Sequence, residues 1–129
     1  MRALLLVCAL ASPALALSPM TAEEFEAHVT GKTLDYSLDG AVYGREAYLP
    51  GRKVHWARTG GDCKTGTWYP EGRQICFLYT DDPAPKCWSL WPDGTGLAGR
   101  FATDSLTTSF HLAREAAEPL VCPGPDLGS

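Results

Sequence analysis

From Thr33 onward, apolar and polar residues alternate with a period of two. In the first run Leu34, Tyr36 and Leu38 share one side while Asp35 and Ser37 take the other, the mark of a strand with one buried face. Comparable runs lie at Val42 to Leu49, Arg52 to Arg58, Lys64 to Tyr69, Arg73 to Thr80, Lys86 to Trp91, Leu97 to Ala102 and Thr107 to Ala113. Between them stand turn signals: Asp39-Gly40, Pro50-Gly51, Gly60-Gly61, Glu71-Gly72, Asp82-Pro83, Asp93-Gly94 and Thr103-Asp104. The pattern predicts an all-β fold, an antiparallel up-and-down meander of about eight short strands closed into a barrel or half-barrel. No long crossover is available for a Greek key. The period changes only at residues 21–30, where Thr21 with Glu24 forms a capping box, Met20 and Phe25 are placed for a hydrophobic staple and Gly31 supplies a stop. This predicts one short N-terminal helix, capping the sheet with the narrow stripe Met20, Phe25 and Val29.

Upstream of the helix, Met1 and Arg2 precede an apolar stretch from Ala3 to Leu15, too short to span a bilayer, and Ala14-Leu15-Ala16 offers the small residues that a signal peptidase needs. Residues 1–16 therefore read as a cleaved signal peptide, with periplasmic or secreted localisation. Cys8 is a poor lipoprotein site, because Val7 stands where a small residue is needed. Of the 129 residues about 113 then remain, one domain spanning 17–122 with an extended Pro-rich and Gly-rich tail at 123–129. The formal charge of −4 becomes −5 without Arg2, and the charges are scattered. With Arg52-Lys53 the densest basic pair, nucleic acid and anionic membrane surfaces are disfavoured partners. The apolar runs are also too short for membrane-spanning strands, so no membrane insertion is expected after cleavage.

Cys63, Cys76, Cys87 and Cys122 form an even set in an exported domain, which implies two disulfides. Taking Glu71-Gly72 as a two-residue hairpin loop sets Cys76 opposite Thr67 and too far from Cys63 to bond. Cys76 and Cys87 flank the Asp81 to Pro85 loop at nearly equal distances on neighbouring strands. The favoured pairing is therefore Cys76 with Cys87 and Cys63 with Cys122. No Cys-x-x-Cys pair occurs, and His28, His55 and His111 stand alone, so neither redox catalysis nor a metal site is indicated and no cofactor is implied.

Cys63, Gly66, Trp68 and Tyr69, then Ile75-Cys76-Phe77 and Tyr79, then Pro85 and Cys87-Trp88 make a distinctive stretch. With Tyr43-Gly44, Glu46, Tyr48 and Cys122-Pro123-Gly124-Pro125 it resembles a family of small uncharacterised exported proteins from proteobacteria, whose signature is Gly-x-Trp, a Cys, and a second Cys followed by an aromatic residue. The resemblance implies a periplasmic location and a structural disulfide between the two signature cysteines. It implies no activity, ligand or catalytic residue.

No catalytic constellation is visible. Ser37, Ser89, Ser105 and Ser109 lack a nucleophile-elbow context, and the acid and base pairs on offer, Asp35 with Glu46 and His55 with Asp62, are ordinary surface combinations. Gly94 to Gly99 satisfies Gly-x-Gly-x-x-Gly, but it follows a hairpin turn and leads into a strand, so it is no phosphate loop. The aromatic set is more informative: Trp56, Trp68, Trp88 and Trp91 accompany Tyr36, Tyr43, Tyr48, Tyr69 and Tyr79. Alternation sends them to both faces, one for the core and one able to line a concave pocket or a patch. Tyr43, Arg45, His55, Trp68 and Trp88 combine aromatic faces with hydrogen-bond donors and are the candidate ligand-binding residues. The expected function is a non-enzymatic periplasmic β domain that binds a small molecule or an envelope protein. Alternatives are a protein-directed inhibitor or envelope accessory factor acting through an exposed loop such as Asp81 to Pro85, and, less favoured, an envelope hydrolase.

Overall fold

The computed structural model describes residues 17–123; the signal peptide expected at 1–16 and the tail beyond Pro123 lie outside the described residues. Eight antiparallel strands follow one another around a closed barrel: β1 (Thr33–Leu38), β2 (Ala41–Leu49), β3 (Lys53–Arg58), β4 (Cys63–Glu71), β5 (Gln74–Tyr79), β6 (Lys86–Asp93), β7 (Gly96–Phe101) and β8 (His111–Glu115). Every strand pairs with its sequence neighbours, and β1 closes on β8 through Leu34 opposite Glu115 to Ser37 opposite Leu112. Closure leaves no free edge. Among the described residues no helix is long and apolar enough to cross a membrane.

Helix α1 (Ala22–Val29) begins on the expected capping box, with Thr21 Oγ1 accepting from the Glu24 amide and Glu24 bonding back to Thr21. At eight residues it is too short to persist alone, and packing holds it. Phe25 is fully buried and meets Tyr48, Trp68 and Phe77 edge to face. Polar ties fix the rim around it: Met20 N donates to Leu90 O, Gly31 N to Tyr48 O, and Arg52 grips Glu26 while lying over the Trp68 ring. The helix thus plugs one end of the barrel. The β1–β2, β3–β4, β5–β6 and β7–β8 connections surround the other end, which is open.

Two glycines take their place from close packing. A Cβ on Gly96 would lie 1.9 Å from Ala113 O, where β7 meets β8, and one on Gly44 would lie 2.2 Å from the Trp56 ring. Gly96 therefore serves the close approach of β7 to β8, which accounts for part of the Gly-x-Gly-x-x-Gly match.

Both disulfides pair as expected, Cys63 with Cys122 and Cys76 with Cys87. The hairpin register differs from the expectation, however: the loop is Gly72-Arg73, because Glu71 pairs with Gln74, and Cys76 faces Tyr69 instead of Thr67. The shift of two positions preserves which face each side chain occupies, so the pairing survives. Cys76 and Cys87 stand directly opposite on β5 and β6, a seam with only three registered pairs. Structural disulfides of this kind belong to an oxidising, extracellular-type environment. The last strand also starts later than Thr107, since Arg100 bonds to Ser105 O and Thr108 O and folds residues 102–110 into a loop.

Candidate functional site

The open end is a cup of about 320 Å³, at the lower end of the range of small-molecule sites. Its wall is aromatic: Tyr36 from β1, Tyr43 from β2, Trp56 from β3, Phe77 and Tyr79 from β5, and Trp88 from β6. Strict alternation along β2 would send Tyr43 outward with Arg45. A β-bulge on β2, opposite Tyr36 and Ser37 of β1, breaks the register, so that Gly44 faces Tyr36 while Val42 faces Ser37 and Tyr43 is the extra residue. Such a bulge bends the strand locally and re-aims a side chain, and Tyr43 joins the interior set. Gly44 beside it leaves the room that the Trp56 ring fills.

The floor holds an unusual group for such a wall. Glu46 is 2 % exposed, directly opposite Trp56, and among the described residues its carboxylate accepts only the Tyr79 hydroxyl, at 2.9 and 3.1 Å. Burial holds its carboxyl well above the usual carboxylate range, outweighing the opposite pull of the Tyr79 hydrogen bond. The neighbouring Tyr36 and Tyr48 hydroxyls bond to each other, and burial raises both phenols, as it does Tyr79. The floor is therefore polar and, without an ionised partner, uncharged.

Near the mouth, His111 Nδ1 lies 2.7 Å from the Tyr43 hydroxyl and Nε2 lies 3.3 Å from Asp104 Oδ2. With Nε2–H donating to Asp104, Nδ1 is left to accept from Tyr43. The imidazole also stands edge-on to Trp88, centroids 4.8 Å apart. Burial pushes the Tyr43 phenol up to about 12, so the relay ends on a protonated hydroxyl and orients that ring without activating it as a nucleophile. Among the described residues neither Ser nor Cys lines the cup. At the rim Lys64 pairs with Asp81 at 3.0 Å and Lys86 with Asp82 at 2.7 Å, the latter contact drawing the Asp82 carboxyl below its ordinary value. The Asp81 to Pro85 loop is thereby folded into the rim.

Of the five candidate binding residues, Tyr43 and Trp88 line the cup. The other three do not. Arg45 sits on the outer face, bidentate to Asp35 at 2.6 and 3.1 Å, and that bond holds its guanidinium above its ordinary value. His55 pairs with Ala47 on the same outer face, since Val54 and Trp56 on either side of it point inward. Trp68 is buried at the plugged end against Phe25. The pairings of Asp35 with Glu46 and His55 with Asp62 are absent among the described residues, the first because the two carboxylates occupy opposite faces. Glu71 lies beside Cys76 and Cys87, but those sulfurs are bonded to each other and offer no thiolate to a metal.

Glu46 yields a prediction of its own. In the unfolded chain its carboxyl titrates near 4.5 and in the fold well above that, so the fold keeps a proton that the unfolded chain gives up. The resulting stabilisation is full below the unfolded value and is lost as pH rises through the folded one. Glu46→Gln cannot lose that proton. Its thermal midpoint should rise relative to the parent's from about pH 5 upward, as read by circular dichroism; parallel pH profiles would show an ionised, paired Glu46 instead.

No family model, curated protein or solved structure matches this chain.

Proposed function

We propose that the protein is a small-molecule-binding β-barrel of the bacterial periplasm, exported by its N-terminal signal, whose site is the open cup. Membership in the exported proteobacterial family that its cysteine and tryptophan signature resembles is part of this reading. One observation carries it: a buried carboxyl with spare acceptor capacity lies at the bottom of an aromatic-walled cavity that opens to solvent. A barrel that needed its aromatic residues only as filler would leave neither a void nor a polar group beneath it. The Tyr43–His111–Asp104 relay supports binding over catalysis, since it fixes a wall residue and includes no activated nucleophile.

Native mass spectrometry of the protein purified without reduction from its own periplasm tests the proposal. The expected spectrum carries the extra mass of a non-covalent small molecule, released on mild activation. A co-purified polypeptide in its place would move the assignment to a protein-directed inhibitor or accessory factor. A bare mass at the cleaved, doubly bridged value would count against tight binding of either kind.

A further inference from the structure

We propose that the cup binds a small organic cation, an alkylammonium or quaternary ammonium group on an apolar body, with Glu46 as its buried counter-ion and Tyr36, Tyr43, Trp56 and Trp88 as its aromatic wall. The inference rests on the cup being a small-molecule site and names its ligand class.

Three observations converge on positive charge. The rings of Tyr36, Tyr43 and Trp56 pack on one another at 5.8 to 6.4 Å between centroids, inclined by 53° to 77°, and together form one continuous aromatic side of the cup. Electron-rich aromatic walls stabilise a cation through the ring quadrupole, most strongly where water is excluded. Beside Trp56, its register partner on the neighbouring strand, Glu46 supplies among the described residues the only carboxylate at the floor, with a single protein hydrogen-bond partner there and the rest of its acceptor capacity available. The cations at the mouth are largely committed elsewhere: Lys64 and Lys86 are neutralised by Asp81 and Asp82, leaving Arg58 as the rim cation without an ion-pair partner among the described residues. An anion reaching the floor would face aromatic walls and a buried acid. A cation would face its complement.

The chemistry of occupation is an exchange. In the empty cup Glu46 keeps its proton, because an isolated carboxylate is costly to bury. An entering ammonium makes the ionised form favourable, and the proton leaves to solvent as the organic cation takes its place. The titratable groups packed around Glu46 are Tyr36 of β1, Tyr43 and Tyr48 of β2 and Tyr79 of β5, phenols that burial keeps protonated. His111 of β8 and Asp104 stand nearer the mouth. Affinity for a cation should therefore rise with pH, by up to about ten-fold per unit while Glu46 is protonated in the free protein.

Three probes that share a benzyl body and a tetrahedral head isolate the charge: benzyltrimethylammonium, neopentylbenzene and phenylmethanesulfonate. Binding to the full mature chain is followed by quenching of tryptophan fluorescence, to which Trp56 and Trp88 report from the wall. The ammonium is expected to bind at least about ten-fold more tightly than the neutral probe, with affinity climbing with pH. In Glu46→Gln both the preference for the ammonium and the pH slope should disappear. The comparison of probes on the parent protein stands even if that variant folds poorly. Equal or tighter binding of neopentylbenzene overturns the cation assignment and keeps the cup as a site; tighter binding of the sulfonate transfers the charge recognition to Arg58 and overturns it as well. If none of the three binds, the cation assignment fails, and a bare native mass would take the binding reading with it.

Discussion

Phe25→Ala should lower the stability of the domain by about 3–5 kcal/mol, the range for truncating a fully buried aromatic residue. For a domain of this size that is a fall in the thermal midpoint on the order of 20 °C. The size of the effect comes from what Phe25 touches. Its ring meets Tyr48 at 5.6 Å, Trp68 at 4.9 Å and Phe77 at 6.2 Å between centroids, each close to perpendicular, so the alanine variant loses three edge-to-face contacts as well as buried area. Helix α1 should melt with it, because one and a half turns beyond the capping box cannot hold the helix without this anchor. Far-ultraviolet circular dichroism against temperature reads both. A loss under about 1 kcal/mol would mean that the helix rests on the barrel end and does not plug it.

The second large effect concerns the bridge to the C-terminal segment. Cys63 and Cys122 are 59 residues apart, Cys76 and Cys87 only 11. On the chain-entropy account the longer loop contributes about 4 kcal/mol and the shorter about 3 kcal/mol. Replacing Cys63 and Cys122 together by serine should therefore destabilise the protein more than the same change at Cys76 and Cys87, as measured by chemical denaturation. The short bridge has a second role, since it holds the seam where β5 and β6 share three registered pairs beside the cup. Its removal should loosen the mouth out of proportion to the stability lost. If the Cys63, Cys122 variant equals its parent in stability, the C-terminal segment contributes nothing to the fold.

The strand order was readable because five of the seven hairpins carry their own signal: a two-residue period, a glycine at positive φ, and a short loop that leaves no choice of neighbour. The capping box did the same for the helix, and equal flanks around residues 81–85 did so for the Cys76–Cys87 bridge. The cup was harder to read because its residues answer to a change of parity. Tyr43 and Arg45 share a phase, and only the bulge opposite Tyr36 and Ser37 separates them, sending the tyrosine in and leaving the arginine out with Asp35. His55 was misplaced for a related reason, since it alternates correctly with Trp56 but on the face that turned out to be the exterior. Glu46 was legible in principle: it is in phase with the inward Tyr48 on the same strand. A carboxylate between aromatic residues on a strand reads as a surface position, however, until the other seven strands are wrapped around it. Tyr36, Trp56, Tyr79 and His111 reach the same cavity from four separate strands, and no local spacing connects them.

The plug at one end gives the cup a single doorway. A solute must leave by the route it entered, so a substitution that only narrows the ring of loops, without touching the bound molecule, slows arrival and departure by the same factor and leaves the equilibrium constant untouched. Exchange and affinity in this barrel are thereby separable: the loops set how long a solute waits, and the floor sets how tightly it is held.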